Sequence, residues 1–389
     1  MGYSAVVLAA GEGRRLRPLT THRPKPMLPA ATKPILEHVF DALIDAGVTD
    51  ITVVVGYRRT RVQSEFGPSY RDVPLTYVTQ DKQLGSGHAL LAAEPAIEGA
   101  ALVVNGDQLI DSRIIEDVIT AHDRESATAT LGLVRRADVT RYGGVLLEDG
   151  AVTEIVENPR DDRGYQLNAG VYAFEPSIFE GIRRSEPRDG EQSLVDGIAT
   201  LLEDGEAVRG VVSEGTWIDA TYPWDLLRIA DDLLEDGEER QIAASASIHE
   251  DATVLEPVVI DDDCVVGPGA VVGPNASLGE NVTVGSNATV ERSVLDADTR
   301  VDNGATLRDC VTGRGVGIGP NSTVVGGPGD VEIGDRVHRE TILGAVLADH
   351  VRDVGGVTYE PGTVVGHGAV CHGGSTVGGT IAADAEVWS

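Results

Sequence analysis

The sequence predicts two domains of different architecture, an α/β domain with a mostly parallel sheet over residues 1–240 and a parallel β-helix of hexapeptide repeats over residues 241–389. Strand-like apolar runs alternate with helical patterns in the first part, and apolar residues recur every six positions in the second. The second part also holds 24 of the 47 glycines, and Tyr359 is its only aromatic residue before Trp388. Its core must therefore consist of small and β-branched side chains.

Strands and helices alternate along the first domain. The predicted strands cover residues 4–10, 51–55, 74–79 and 101–105, and the predicted helices cover residues 35–47, 86–94 and 112–122. This order is typical of a parallel sheet with helices on both faces. Ligands of such sheets bind at the carboxyl ends of the strands, so we expect functional residues in the loops that follow them.

The second domain shows a period of six residues, which is neither helical nor that of a simple strand. The periodic positions are Ile248, Val254, Ile260, Val266, Val272, Leu278, Val284 and Val290. After residue 290 the register slips and resumes near Val301 and Leu307, then near Ile318 and Val324, which predicts loops that interrupt the coils. Residues 231–240, DDLLEDGEER, predict a helix end that runs into a polar connector.

Composition limits the partners and the compartment. The formal net charge of −31 excludes nonspecific attraction to nucleic acid or to anionic membranes, because like charges repel. With only three lysines, this acidic surface favours a salt-rich cytoplasm, and ordinary acidic solubility is the alternative. The three cysteines are too far apart in sequence to indicate a disulfide framework or a zinc site. The sequence has neither a basic leader nor a membrane-length apolar run, so we expect a cytoplasmic protein.

The first predicted strand leads into LAAGEGRRLRPLT at residues 8–20, followed by RPKPML at residues 23–28. Gly11 and Gly13 would let the backbone approach a phosphate closely, and Arg15 and Lys25 can bring positive charge to it. A dinucleotide-binding fingerprint would have a third glycine opening a helix, but here arginines and Pro18 follow, which argues against an oxidoreductase. A merely solvated basic turn fits poorly in so acidic a chain.

This pattern, LAAGxGxRL followed by PKPM, resembles the signature of sugar-nucleotide pyrophosphorylases, the nucleotidyltransferases that join a sugar 1-phosphate to a nucleoside triphosphate. The resemblance implies a Rossmann-like nucleotidyltransferase domain followed by a left-handed parallel β-helix. It also implies that Ala10, Gly11 and Gly13 bind the nucleotide and that Arg15 and Lys25 are catalytic.

Residues 78–90, VTQDKQLGSGHAL, resemble the base-reading segment of N-acetylglucosamine 1-phosphate uridylyltransferases. The resemblance implies that Gln80 pairs with a pyrimidine edge and that Gly85 leaves room for the base. The same residues are also typical of a helix N-terminus with Ser86 as its cap. The two interpretations are compatible.

Two aspartates are candidates for metal binding, in NGDQL at residues 105–109 and in WIDATYPWDLL at residues 217–227. Taken alone, an aspartate after a strand is more often a turn former or a helix cap. The resemblance implies that Asp107 and Asp219 bind Mg²⁺ and that Asp107 is catalytic. Mg²⁺ commonly takes one or two carboxylates together with substrate phosphates.

Residues 141–159 and 167–174 resemble the sugar-binding segments of the family. The resemblance implies that the Gly143 amide, Glu157 and Asn168 hydrogen-bond the sugar hydroxyls or an acyl amide. The family usually has a lysine after this glutamate, whereas Asn158 and Pro159 follow here. The cationic contact to the sugar phosphate would then have to come from Arg160.

The second domain is similar, at residues 343–370, to archaeal bifunctional enzymes that also acetylate glucosamine 1-phosphate with acetyl-CoA. Asn303 stands where that family has its catalytic histidine, and Gly326 and Ile342 replace other family residues. His338, His350, His367 and His372 remain, and a solvated or interface role is expected for each. We therefore predict that the β-helix serves mainly as a platform for a homotrimer or a larger assembly, with acetyl transfer as the less favoured alternative.

The implied reaction is Mg²⁺-dependent and has a pyrimidine triphosphate, UTP or dTTP, and a sugar 1-phosphate as substrates. N-acetylglucosamine 1-phosphate and glucose 1-phosphate are the expected sugars. Positioning and charge neutralisation would account for most of the rate. A non-catalytic regulatory or scaffolding homologue is the alternative from another class. It would be expected to lack Arg15, Lys25 or Asp107, and all three are present.

Overall fold

A computed structural model describes residues 4–136, 139–161, 163–188, 190–236 and 240–388. The chain forms two compact units. The first comprises Met1–Glu12, Pro24–Met27 and Ile35–Asp219, and the second comprises Gly13–Arg23, Leu28–Pro34 and Ala220–Ser389. The second unit thus includes two short segments from the N-terminal part of the sequence. The boundary and connector predicted near residue 240 fall partly on residues 237–239, outside the described residues, and stay predictions.

The first unit is built on a mixed sheet that has ten strands among the described residues. The strands of this unit, including a separate ladder of β6 and β12, are β1 (Ser4–Ala9), β2 (Asp50–Val55), β3 (Ser69–Tyr70), β4 (Val73–Thr79), β5 (Ala101–Asn105), β6 (Gln108–Ile110), β7 (Ala129–Val134), β8 (Gly143–Glu148), β9 (Ala151–Glu157), β10 (Gln166–Phe174), β11 (Val208–Ser213) and β12 (Trp217–Asp219). The order across the large sheet is β8-β9-β11-β7-β10-β5-β1-β2-β4-β3.

Helices of the first unit connect these strands. They are α1 (Ile35–Asp45), α2 (Arg59–Phe66), α3 (Ser86–Ala93), α4 (Ser112–Glu125), α5 (Ser177–Arg184) and α6 (Leu194–Glu203). The strands and helices predicted from the sequence are confirmed to within about three residues at each end. No described helix is both long enough and apolar enough to cross a bilayer.

Strands β5, β1, β2 and β4 are parallel neighbours, as the sequence predicts. Strand β10 runs antiparallel between β5 and β7, which makes the sheet as a whole mixed. Alternate residues of β1 pack into two separate cores. Ala5 and Val7 pack with α1 and α4, whereas Val6 and Leu8 pack with α3, α5 and α6. Burial on both faces explains why these strands are continuously apolar.

The second unit is a stack of parallel strands with the architecture of a left-handed β-helix. One sheet contains Arg240–Ile242, Val258–Ile260, Ala276–Leu278, Val294–Leu295, Cys310–Thr312, Ala345–Leu347, Thr363–Val365 and Thr380–Ile381. A second contains Ser247–Ile248, Val265–Val266, Thr283–Val284, Arg300–Val301, Gly317–Ile318, Arg352–Asp353, Val370–Cys371 and Glu386–Val387. The third contains Thr253–Val254, Val271–Val272, Thr289–Glu291, Thr306–Arg308, Thr323–Val324, Thr358–Tyr359 and Thr376–Val377. The unit also contains helix α7 (Asp225–Asp236) and the hairpins Pro29–Ala30/Lys33–Pro34 and Gly329–Ile333/Arg336–Thr341.

The hexad pattern sets the coil length. Val265 pairs with Thr283, so each coil advances by three hexads, and the periodic side chains fill one continuous core. At both predicted slips the coil is one residue short, since Thr283 pairs with Arg300 and Arg300 pairs with Gly317. The prediction of inserted loops at these two positions is therefore wrong. A loop does extend the next coil, where the hairpin at residues 329–341 follows Val324 and Gly317 pairs with Arg352.

A buried polar cluster surrounds Asp353 in the β-helix. The Asp353 carboxylate accepts hydrogen bonds from Ser322 Oγ at 2.9 Å, from Gly355 N at 2.7 Å and from Tyr359 Oη at 3.3 Å. Burial raises the pKa of Asp353, although these hydrogen bonds favour the ionised form. Cys371 is buried beside Tyr359. Like Cys264 and Cys310, it packs in the core as a free cysteine, as the sequence predicts.

We expect the substitution Asp353→Asn to stabilise the β-helix at neutral pH. A folded-state pKa above the unfolded value means that the stability contributed by Asp353 is present below the unfolded pKa and is lost as the pH rises through the folded pKa. An asparagine would keep the acceptor for Ser322 without a buried charge. The expected gain in the free energy of unfolding is on the order of 1 kcal/mol near pH 7. It should shrink as the pH falls through the folded pKa.

Thermal unfolding across a pH series tests this, with the exposed Asp302→Asn as the control. Equal pH dependence of the two variants would contradict the expectation.

Candidate functional site

Two aspartates and a lysine meet at one edge of the first unit. Asp107 follows β5 after Gly106, and Asp219 is the last residue of β12. Strand β12 pairs antiparallel with β6, which places Asp219 opposite Gln108, next to Asp107 in sequence. The short β6–β12 ladder therefore brings together two carboxylates that are far apart in the sequence.

Lys25 lies between these carboxylates. Its Nζ is 2.6 Å from Asp219 Oδ1 and 3.0 Å from Asp107 Oδ2. Lys25 and Asp219 are buried, whereas about a third of the Asp107 side chain is exposed. Burial by itself would lower the pKa of Lys25, but the two carboxylates outweigh it and hold the pKa above its usual value. Lys25 is therefore a permanent cation at neutral pH.

The same two carboxylates have the chemistry for Mg²⁺. Mg²⁺ prefers hard oxygen ligands and often keeps waters and substrate phosphates in its shell, so two carboxylates are enough from the protein. Both oxygens contact a single ammonium, which shows that they are close enough to share one cation. Among the described residues, no group of three or more His, Cys, Asp or Glu is arranged to hold a metal. Asp107 and Asp219 thus fit a metal that a substrate helps to bind.

The loop after β5 lies directly against β1. Gly106 N donates to Leu8 O at 2.9 Å, and a Cβ at Gly106 would lie 2.8 Å from Val7 Cγ1. A side chain at this position would push the loop away from β1. The glycine therefore sets how close Asp107 lies to the end of β1, where the phosphate loop begins.

The predicted phosphate loop starts in the first unit and continues in the second. Ala10 is buried, and a Cβ at Gly11 would meet nothing within 4 Å, so the space beside Gly11 is open to a ligand. Gly13 and Arg15 belong to the second unit. There Gly13 adopts a φ of 67° before a 3₁₀ turn at Arg14–Leu16, and Arg15 is exposed. Their contribution to the nucleotide site stays a prediction.

Gln80 follows β4 at the same sheet edge and is buried. Its Nε2 donates to Gly85 O at 3.0 Å and lies 3.0 Å from His88 Nδ1. Gly85 has a φ of 96°, and a Cβ there would lie 2.5 Å from Gln192 O. The space that a Cβ at Gly85 would take is therefore occupied by the chain itself, and the role of Gly85 beside a base stays a prediction.

A helix begins at Ser86, as the sequence predicts, but Ser86 does not cap it. The residue before α3 is Gly85, which has no side chain to cap with. Ser86 Oγ instead accepts from Leu194 N at 3.0 Å, at the start of α6, where Ser193 Oγ accepts from Val195 N. Two serines therefore satisfy the first amides of α6, and Ser86 ties α3 to α6.

Sequence reasoning missed a cavity at the ends of β2 and β4. It has a volume of about 330 Å³ and is lined by Gly56, Tyr57, Arg58, Arg59, Thr60, Thr79, Gln80, Asp81 and Gln83. Arg59 Nη1 donates to Thr79 Oγ1 at 3.2 Å. With the Gln83 amide oriented to suit its partners, its oxygen accepts from Tyr57 N and its nitrogen donates to Glu12, each at 3.0 Å. The sequence feature that could have indicated this cavity is YRR at residues 57–59, which follows the predicted strand after Gly56.

The three predicted sugar-binding residues lie together. Gly143 pairs with Glu157 across β8 and β9, and a Cβ at Gly143 would lie 3.2 Å from Asn168 Cβ. Asn168 is buried and its Nδ2 donates to Tyr172 Oη at 2.8 Å. Burial is the main cause that raises the pKa of the Tyr172 phenol. The nearby Glu157 carboxylate raises this pKa further. Tyr172 is a member of this cluster that the sequence did not reveal.

Glu157 has charged neighbours of both signs, Asp196 and Arg188. Partial burial and then the Asp196 carboxylate raise the pKa of Glu157, and Arg188 opposes them. Arg188 also pairs with Asp196 at 3.1 Å. Pro159 is buried, and a Cβ at Gly144 would lie 2.9 Å from its Cγ. The next residue, Arg160, is exposed.

The histidines of the β-helix pack against aromatic rings, lie near a carboxylate or occupy a coil corner. His338 packs against the rings of Tyr222 and Trp224, and His372 stacks on Trp388. His350 has a φ of 60° at a coil corner, and His367 lies 3.8 Å from Asp384. Asn303 Oδ1 accepts from Ser286 N of the preceding coil at 2.8 Å. The residue at the position of the acetyltransferase histidine thus stabilises the stacking of coils.

Comparison with known proteins agrees with this geometry. The family model described as nucleotidyl transferase matches residues 4–236, and one described as the GMPPB C-terminal domain matches residues 254–373. The chain is 36% identical over 226 residues to the UTP–glucose-1-phosphate uridylyltransferase AglF of Haloferax volcanii, a match that covers 57% of this chain and 92% of that protein. It is 35% identical over 227 residues to the bifunctional protein GlmU of Methanococcus maripaludis, with 57% and 52% covered. The match thus spans about half the length of that bifunctional relative.

A glucose-1-phosphate thymidylyltransferase of Streptomyces antibioticus is 33% identical over 240 residues, which covers 61% of this chain and 67% of that protein. A solved UDP-glucose pyrophosphorylase in complex with UDP-glucose superposes with a TM-score of 0.56 at 22% identity, covering 61% of this chain and 100% of that chain. This last likeness concerns the fold. Since the family model spans more than half of the sequence, from β1 through the residues of the Lys25 site, the chain belongs to the nucleotidyl transferase family.

Proposed function

We propose that the protein is an Mg²⁺-dependent nucleotidyltransferase that makes a sugar nucleotide and pyrophosphate from UTP or dTTP and a sugar 1-phosphate. N-acetylglucosamine 1-phosphate and glucose 1-phosphate are the proposed sugars. The observation that carries the proposal is the buried Lys25 between Asp107 and Asp219 at the carboxyl edge of the sheet. The activities named for the related AglF and for the related thymidylyltransferase support the substrate class.

Different residues of the proposed site bind the nucleotide, the metal and the leaving group. Gly11 offers open backbone to the triphosphate, and the buried Gln80 orients the nucleotide at the end of β4. Lys25 holds positive charge where negative charge develops as pyrophosphate leaves. Bound Mg²⁺ would supply further charge neutralisation and would be held by Asp107 and Asp219. The attacking phosphate oxygen is already anionic, so no general base is needed.

Sugar selection falls to the cluster around Asn168. Asn168 Nδ2 donates to Tyr172 Oη, Asn168 Oδ1 accepts from Gly170 N, and Gly143 pairs with Glu157 on the neighbouring strands. Polar sites of this kind reject analogues that lack the matching hydroxyl or amide. In the proposed enzyme the β-helix also assembles the chain into a homotrimer or a larger oligomer, which light scattering of the purified protein would test.

Pyrophosphate release tests the proposed activity. The purified protein is incubated in high salt with Mg²⁺, each of UTP, dTTP, CTP, ATP and GTP, and a panel of sugar 1-phosphates. Release is expected with a pyrimidine triphosphate only and should disappear when Mg²⁺ is chelated. A folded protein that is silent across the panel would point to the regulatory or scaffolding alternative.

The substitution Glu157→Gln is expected to act on the sugar rather than on the nucleotide. It removes a carboxylate acceptor while keeping the shape of the side chain. The KM for the sugar 1-phosphate should rise by roughly 10-fold or more, with the KM for the triphosphate within about threefold of wild type. The control is Glu154→Gln on the same strand, which removes a half-buried carboxylate that pairs with Arg163 at 2.6 Å. Equal changes in both KM values would contradict the assignment.

A further inference from the structure

Part of the family signature is folded with the second unit. Residues 13–23, which we call the signature turn, group with the β-helix and not with the sheet. Leu16 and Leu19 are each 1% exposed, and Thr20 Oγ1 donates to Gly13 O at 2.8 Å. The segment that carries Arg15 is thus a packed turn of the second unit.

A buried guanidinium fastens this turn to the β-helix. Arg23 Nη1 lies 2.5 Å from Asp296 Oδ2, and Arg23 Nη2 donates to Asp349 Oδ1 at 3.2 Å. All three side chains are nearly inaccessible to solvent. Arg23 Nε also contacts Leu19 O at 3.4 Å, inside the turn itself. One side chain thereby joins the signature turn to two coils.

Backbone amides of the β-helix donate hydrogen bonds to both carboxylates. Asp296 Oδ1 accepts from Ala297 N at 2.8 Å, and Asp349 Oδ1 accepts from Arg314 N at 3.0 Å. A buried ion pair adds little net stability compared with a well-packed apolar replacement, because desolvation offsets the attraction. The hydrogen bond from Arg23 Nη2 to Asp349 Oδ1 is directional and orients the guanidinium.

We propose that Arg23 is a positioning residue, through which the β-helix holds the signature turn in its catalytic conformation. Arg15 lies in this turn, and Lys25 follows Arg23 by two residues. A shift of Arg23 would therefore displace Lys25 through the backbone that joins them. This inference rests on the proposed nucleotidyl transfer and gives the β-helix a part in it, beyond assembly.

The experiment compares two matched triple variants of the full chain. The first, Arg23→Met/Asp296→Asn/Asp349→Asn, removes the charges together and so avoids an unpaired buried charge. The control, Arg292→Met/Asp231→Asn/Asp309→Asn, removes a similar cluster that joins α7 to the β-helix, in which Arg292 lies 2.9 Å from Asp231 and 2.7 Å from Asp309. Both changes alter the net charge equally. Each variant is assayed for pyrophosphate release, for its thermal midpoint and for amide hydrogen exchange in residues 13–25.

The Arg23 triple variant is expected to lose about 100-fold in kcat/KM for the triphosphate, the cost of misplacing catalytic groups by about 1 Å. Its thermal midpoint should stay close to that of the control, and amide exchange should accelerate in residues 13–25. The control should keep its activity within about threefold. Should the triple variant not fold, Arg23→Lys, which keeps the charge without the forked geometry, is expected to show a smaller loss in the same parameter.

Activity and exchange in the Arg23 variant equal to those of the control would overturn the inference. Wild-type protein without pyrophosphate release would overturn the proposed function and the catalytic part of the inference together. The exchange measurement then separates the two, because anchoring of the signature turn by Arg23 does not depend on turnover.

Discussion

Replacing Lys25 by methionine is expected to lower kcat by about 1,000-fold. The substitution keeps most of the side-chain volume but removes the buried ammonium between Asp107 and Asp219. Loss of a preorganised charge at a reacting phosphate typically costs about 10²- to 10³-fold, and here the two carboxylates would also face each other without a cation. Steady-state kinetics with the substrates found in the pyrophosphate assay measure the effect.

A second readout distinguishes the site from general damage. In the variant the ammonium no longer competes for the carboxylates, so Mg²⁺ alone should raise the thermal midpoint more than it does in wild type. The control is Lys33→Met, at an exposed lysine that, like Lys25, precedes a proline. Retention of a tenth or more of the wild-type kcat would show that Lys25 is not part of the catalytic centre.

Replacing Gly85 by alanine is expected to destabilise the first unit and to weaken nucleotide binding. The backbone at Gly85 has a φ of 96°, and the new Cβ would lie 2.5 Å from Gln192 O. Strain and collision together should cost about 3 kcal/mol, which lowers the thermal midpoint by about 6 °C or more. Gln80 donates to Gly85 O, so the KM for the triphosphate should also rise, by about 10-fold.

Gly47→Ala is the matched control for backbone strain. Gly47 has a φ of 88°, but a Cβ there would meet nothing within 4 Å. It should lower the thermal midpoint by only about 2–4 °C and leave the KM unchanged. Equal effects at both positions would mean that the contact with Gln192 has no part in stability or in binding.

The sequence and the structure agree best where a pattern is local. The hexad repeat from Ile248 to Val290 predicted the β-helix because each inward residue repeats within one coil. The apolar runs of β1 and β2 predicted buried parallel strands because both faces of such strands are packed. Where a coil lost one residue after Thr283, the period alone could not show whether a loop had been inserted.

The candidate site was predictable in its residues but only partly in its arrangement. The resemblance of the motifs pointed to Lys25, Asp107 and Asp219, and these three meet in the structure. The sequence did not reveal that Gly85 packs against the backbone of Gln192, a residue more than a hundred positions away. A single sequence contains no signal for such a contact, because it depends on how α3 and α6 pack.

The two architectures, the location of the functional residues at strand ends and the family signature could all be predicted from the sequence. Only the tertiary structure decided that the β6–β12 ladder aligns Asp219 with Asp107, that Ser86 caps α6, and that the signature turn is held by Arg23 against Asp296 and Asp349. The physical reason is that periodicity and turn chemistry act over a few residues, whereas these contacts join segments up to 326 positions apart. Their geometry exists only after several elements have packed.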